Sequence, residues 1–279
     1  MKQTKYHLVI LLFFAVFYSS YGQNKEPYAL KKNQFRVGLG AGYLQTLDLQ
    51  VSPKSYHGVR KNLQLEYLRK KDKGIFTSNL NVFFGNLTPT SGTSLTFYAK
   101  ETDIYGAEKD ESMTLEIAPL GFNLEIGYLH KLQTLATVRT EFYLGGSLEE
   151  NLTFTPGFLP IGLINYASLN AKARFDYQLN NGKPLIFQLS LPLVSAVTRF
   201  PYHNSPNIPG KSGLGAFFTG NNDIETINHF QNIRFSVRYN WLVTKRIAFD
   251  IAYEGSWLHY YKPQHLTQAG SQLSLGLTF

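Results

Sequence analysis

The chain has 279 residues, a formal net charge of +8, no cysteine, 18 Tyr, 21 Phe and 23 Gly. Without cysteine it carries no disulfide scaffold, thiolate metal site, thiol nucleophile or lipid-anchored thiol, and 16% charged with 15% aromatic residues is too apolar for a disordered chain. A mean hydropathy of −0.18 is equally far from a bundle of membrane helices, each of which needs about 20 unbroken apolar residues.

The first element is a leader. Lys2 and Lys5 precede an apolar run from Leu8 to Tyr18 and the small pair Ser20 and Gly22. That is the charged, apolar and small-residue order of a secretory signal, with cleavage expected after Gly22. The run is too short to span a bilayer. The predicted organisation is a signal peptide over 1–22, a short N-terminal segment over 23–34 and one domain over 35–279.

Beyond the leader the recurring signal is period-two alternation, the mark of a strand with two different faces. About ten segments carry it, each near the length of a tilted membrane strand. They fall at 35–47, 58–70, 74–86, 113–129, 135–148, 163–179, 184–198, 228–242, 246–260 and 269–279. In the eighth, Ile233, Phe235, Val237, Tyr239 and Trp241 share one face, and Asn232, Arg234, Ser236, Arg238 and Asn240 share the other. The fourth changes phase near Ala118-Pro119, which predicts a bulge there. Gly38, Gly40 and Gly42 form a small inner face that leaves room for bulky neighbours.

The connections alternate between short and long. Lys71-Asp72-Lys73, Lys131-Leu132-Gln133, Asn180-Asn181-Gly182-Lys183 and Val243-Thr244-Lys245 are tight and polar. Those between them are longer, and 87–112 and 199–227 exceed the usual span of about 12–15 residues. An up-and-down meander then gathers every tight turn at one end and every long loop at the other. Loop 87–112 holds a strand-like piece, Ser94 to Tyr98, predicted to extend the wall. Loop 199–227 has prolines in its first half and Gly220-Asn221-Asn222-Asp223 in its second, so it reads as stiff, then flexible.

The faces fix which side meets water. Arg36, Glu66, Glu125, Arg139, Glu141, Lys172, Arg174, Asp176, Arg234, Arg238, Asp250 and Glu254 all lie opposite the aromatic and aliphatic face. A ten-strand bore is too narrow to hold the rings, so the charges are predicted inside and the apolar face outside, against lipid. Tyr67, Tyr128, Tyr177, Trp241, Trp257 and Tyr260 lie toward segment ends, as aromatic girdles do. The inward set has equal numbers of basic and acidic groups, which predicts a paired, filled lumen network rather than an open pore.

The leader, the amphipathic segments and the closing Leu275-Gly276-Leu277-Thr278-Phe279 together resemble the bacterial outer-membrane β-barrel family. The Tyr21-Gly22-Gln23 start and the Asn- and Tyr-rich texture resemble barrels of the Bacteroidota. The resemblance implies an all-β, antiparallel up-and-down transmembrane barrel embedded in outer-membrane lipid, with turns at the periplasm and loops outside. It also implies that Phe279 belongs to the signal read by the barrel assembly machinery.

One pair of residues raises catalysis. His203 and Ser205 have a His-x-Ser spacing that resembles outer-membrane phospholipase A and the lipid A deacylases, where His is the base for a Ser nucleophile. Pro201, Pro206 and Pro209 argue for a loop instead, and the position where those families place an orienting Asn or Glu is Phe217. The Asp pair and Asp–His pair of the ten-stranded omptin proteases have no counterpart here. The remaining histidines are scattered, and no metal, cofactor, phosphate-loop or nucleic-acid pattern is readable. The expectation is a non-enzymatic outer-membrane barrel with a charge-filled lumen. It would work through loops 87–112 and 199–227 as a binding protein or as a subunit of an envelope complex. A narrow channel for a small polar solute and a lipid hydrolase using His203 and Ser205 are the alternatives.

Overall fold

The computed structural model describes residues 32–92, 96–102, 108–114, 117–156, 162–179, 183–199, 208–220, 222–243 and 247–279. The predicted leader at 1–22 lies outside them. Ten long strands form the wall: β1 (Asn33–Asp48), β2 (Ser55–Lys71), β3 (Gly74–Pro89), β6 (Leu120–Lys131), β7 (Thr140–Thr155), β8 (Gly162–Gln178), β9 (Pro184–Arg199), β11 (Phe230–Leu242), β12 (Ala248–Tyr260) and β13 (Leu266–Thr278). Three shorter strands lie in the long connections: β4 (Thr96–Thr102), β5 (Glu108–Thr114) and β10 (Asn222–Thr226), together with one helix, α1 (Gly213–Gly220). Each wall strand pairs antiparallel with its neighbours, and β13 pairs back to β1 with Arg36 opposite Thr278. The ten wall strands close into a ring, which removes most of the exposed row of amide and carbonyl groups that an open sheet presents.

β6 shows why these segments become wall. Leu120, Phe122, Leu124, Ile126 and Tyr128 point outward and are exposed, while Gly121, Asn123, Glu125, Gly127 and Leu129 point inward and are buried. The same inversion runs round the ring: Leu39, Leu148 and Leu275 are 66%, 67% and 59% exposed, while Asp250 is fully buried. A continuous apolar belt on the outside of a polar core is stable only against an apolar surround.

Several expectations need correction. Pro119 ends one segment rather than bulging within it: β6 starts at Leu120, and Ile117 makes only an isolated bridge to Leu87. Of the piece predicted at 94–98, Ser94 and Leu95 lie outside the described residues and Thr96–Tyr98 open β4, which pairs with β5 as a separate two-stranded sheet and does not extend the wall. In loop 199–227 the described part is ordered into α1 and β10. Tyr260 joins no girdle, because it shares the inward phase of Asp250 and Glu254 and is buried.

The wall has one irregular seam. β9 pairs with β11 only from Leu185–Tyr239 to Ser190–Arg234, and above that it pairs with β10 from Val194 to Thr198. Between those stretches Phe230–Ile233 pair with β12 alone. Pro192, which has no amide proton, lies in this gap of β9, and the register to β8 shifts beside it, between Leu169 and Asn170.

Candidate functional site

The bore is layered. At the turn end Leu68, Ile75, Leu129 and Tyr143 form an apolar plug. Beside it Glu141 is gripped by Lys70 at 2.5 Å and Lys131 at 2.6 Å, and accepts a hydrogen bond from Tyr143 at 2.8 Å. The middle is charged. At the loop end two further apolar clusters face inward, one around Ile164, Phe230, Leu258 and Leu266, the other around Leu44, Tyr56, Leu87 and Ile117.

In the charged layer Arg36 donates from Nε and Nη2 to Asp250 at 2.7–2.9 Å, and from Nη1 to Gln64 at 2.7 Å. Two glycines make room for that pair. A Cβ at Gly38 would fall 2.8 Å from Arg36 Nη1, and one at Gly276 would fall 2.4 Å from Asp250 Oδ2. Arg174 holds Asp176 at 2.7 Å, and Lys172 holds Glu125 at 2.6 Å. The two arginines of β11 reach away from their own wall: Arg238 to Glu66 on β2 at 2.6 Å, and Arg234 to Glu149 on β7 at 2.5 Å and Glu125 on β6 at 3.4 Å. By strand order β2 and β6 are each four positions from β11 in the ring of ten, so these bonds are struts across the bore. Near the loop end a third strut runs from Arg199 on β9 to Asp48 on β1 at 2.6 Å.

Of the predicted lumen set, Arg36, Glu66, Glu125, Glu141, Lys172, Arg174, Asp176, Arg234, Arg238 and Asp250 meet opposite charges as described. Glu254 accepts hydrogen bonds from Gln64 at 3.0 Å and from Gln272, and has no cation within ion-pair distance among the described residues. Arg139 is misplaced by the prediction. It is exposed in the turn before β7, because that connection adds a short 3-10 turn at Gln133–Leu135 and the strand starts only at Thr140. Glu149 was missed because the predicted strand stopped at 148. Its clue was the in-phase run Ser147, Glu149, Asn151. Lys131 stands in a predicted turn, whereas Lys70, Arg60 and Gln64 lie in the predicted second segment and share the phase of Glu66. Phe279 pairs its backbone with Phe35 in both directions and packs its ring, tilted, against that of Phe35 with centroids 5.6 Å apart.

Outside the belt, β10 carries Glu225, which meets Lys262 at 2.6 Å and His229 at 2.9 Å. Burial pushes its carboxyl up, but the bonds from Lys262 and His229 outweigh that and hold it below the usual carboxylate range. His203 and Ser205 lie outside the described residues, so their geometry is not on view. Among the described residues no group of three or more His, Asp or Glu could hold a metal ion.

Neither a protein-family model nor a curated protein sequence matches the chain. Solved bacterial outer-membrane barrels are similar to it. The translocator domain of the autotransporter NalP from Neisseria meningitidis is 8% identical, with 99% of this chain and 97% of that one covered and a TM-score of 0.47. The outer membrane protease OmpT from Escherichia coli is 9% identical, with 93% and 99% covered and a TM-score of 0.42. An outer membrane channel from Pseudomonas putida F1 is 9% identical, with 92% and 99% covered and a TM-score of 0.42. Their names describe a translocator, a protease and a channel, and an activity resides in a site rather than in a barrel wall.

Proposed function

We propose that this protein is an integral outer-membrane barrel, closed as a diffusion pore, that works as a binding protein at its loop end. The observation that carries the reading is the set of cross-bore struts, Arg238–Glu66 and Arg234–Glu149 at mid-height and Arg199–Asp48 above. A general pore keeps a wide, water-filled bore, whereas here long side chains of opposite sign meet in the middle. The apolar belt supports insertion in lipid, and the predicted leader supports delivery to the outer membrane through the barrel assembly machinery. The loop end, with the β4–β5 hairpin, α1 and β10, is then the surface offered to an envelope partner or a ligand. Planar-bilayer recording tests the closure. The expected result is no steady conductance at neutral pH; a large, steady conductance would replace this reading with the narrow channel.

A further inference from the structure

One pair of charges breaks the pattern of the bore. Among the described residues, every other basic side chain that the ten wall strands turn inward meets a carboxylate within the 4.0 Å of an ion pair. Arg60 does not: it donates to Gln272 Oε1 at 3.1 Å and lies 5.1 Å from the centre of the Phe83 ring. Glu254 is the matching inward carboxylate without a cation. The two sit in one register row, Arg60 beside Gly42, Gly42 beside Gln272, and Gln272 beside Glu254. Gly42 leaves the row open for Arg60 to reach along it, since a Cβ there would lie 2.5 Å from that of Gln272.

Arg60, Gln272 and Glu254 line the same cavity of about 200 Å³, which runs from the middle of the bore to its loop end. At about 30 Å³ per water that is room for roughly six waters, or for one small molecule. Further lining groups are buried and unpartnered among the described residues: Asn123 Oδ1, Ser190 Oγ and Arg234 Nε. Leu44 and Leu87 add an apolar wall near Arg60.

We propose that this cavity is a binding site for a small zwitterion, an α-amino acid with an uncharged side chain. Its carboxylate sits on Arg60 and its ammonium on Glu254. The sign bookkeeping selects the class. Arg60 and Glu254 attract each other only at a distance, across Gln272; a lone anion would give Arg60 a contact and leave Glu254 without one, and a lone cation would do the reverse. A charged side chain would bring a third charge that finds no free partner. Gln272 already mimics the ligand: its carbonyl accepts from Arg60 as a carboxylate would, and its amide nitrogen donates to Glu254 as an ammonium would. It is neutral and displaceable, while a zwitterion makes both bonds charge-assisted.

The inference deepens binding at the loop end and rests on that reading, but it is tested independently of conductance. The full chain, folded in detergent micelles, is titrated calorimetrically with L-alanine, L-leucine and L-glutamine, and with N-acetyl-L-leucine and L-leucine methyl ester. Binding of at least one free amino acid is expected, with both blocked forms of leucine at least tenfold weaker than leucine. Arg60→Gln and Glu254→Gln should each weaken binding tenfold or more, with folding followed by far-ultraviolet circular dichroism. Gln272→Ala, which removes the internal mimic, should tighten it, and this variant together with the blocked ligands decides the matter if a charge variant fails to fold. Silence with all three amino acids, or equal binding of free and blocked leucine, overturns the site. Silence here with no conductance in bilayers leaves the closed barrel standing; a large conductance defeats the closed barrel whatever the titration shows.

Discussion

The Arg36–Asp250 pair shows how single positions carry this interior. Both groups are stripped of water, and their mutual attraction offsets that cost only while the bonds to Gln64 and Ser274 are also made. Asp250→Ala should therefore cost about 3–5 kcal/mol, because it leaves the guanidinium buried alone. Replacing both, Arg36→Met with Asp250→Leu, should cost clearly less; urea unfolding of the refolded barrel measures both. Equal losses would mean that a guanidinium left alone in the bore carries no penalty of its own. Glu225 gives a pH prediction of definite sign. Its carboxyl is held below the ordinary range, near 4.3 for an unperturbed Glu, so its contribution is complete above that value and is lost as pH falls through the lower folded one. Acidification below about pH 4 should loosen the β10–Lys262 contact, read as faster amide exchange in β10, and Glu225→Gln should abolish that pH dependence. Alternation made the phase of most inward charges legible. It could not show which charge meets which, because that depends on ring size and stagger. Nor could it place Arg139 and Tyr260, where small errors in a strand's start or phase exchange inside, outside and turn.

At the scale of elements, the ten wall strands were legible because each carries two chemically different faces, and the tight turns because polar residues interrupt them. The content of the long connections was not. α1 is the run Gly213-Leu214-Gly215-Ala216-Phe217-Phe218-Thr219-Gly220, where three glycines argue against helix locally and only the folded context overrides them. The strands exceed the roughly 9–11 residues that a tilted span requires, so the wall projects beyond lipid. Depth should then decide the effect of an outward charge. Leu148→Arg, at the middle of β7, should cost about 2–4 kcal/mol, and Thr88→Arg, at the loop end of β3, about 0–1 kcal/mol. Equal costs in lipid vesicles would show that the belt has been placed at the wrong height. The β9–β11 seam has its own signature. Amide protons of Phe230–Ile233 that point away from β12 have no ladder partner on β9. They should exchange at least about tenfold faster than those of Arg234–Tyr239 that point toward β9. Uniform protection along β11 would show that the seam is closed.

For the whole molecule, the arrangement of charge matters more than its amount. The struts from β11 tie one wall to two others, so they brace the ring and block the bore with the same bonds. Replacing Arg234 and Arg238 together by Ala removes both mid-height struts. Glu125 would keep Lys172, but Glu149 and Glu66 would lose the cations that hold them. Glu149 would keep only amide donors, from Asn123, Asn170 and Asn232, and two largely buried carboxylates without cations are expected to cost several kcal/mol unless water reaches them. Water is the cheaper solution in a barrel, because the space vacated by two long side chains adds to the cavity that both already line. The double variant should therefore lose stability and acquire a conductance that prefers cations, since the charges newly exposed to the bore are acidic. Recording wild type and variant side by side in planar bilayers measures the second effect, and thermal unfolding in micelles measures the first. A variant unchanged in both would show that the struts neither brace nor block, and the closed-barrel reading would fall with them.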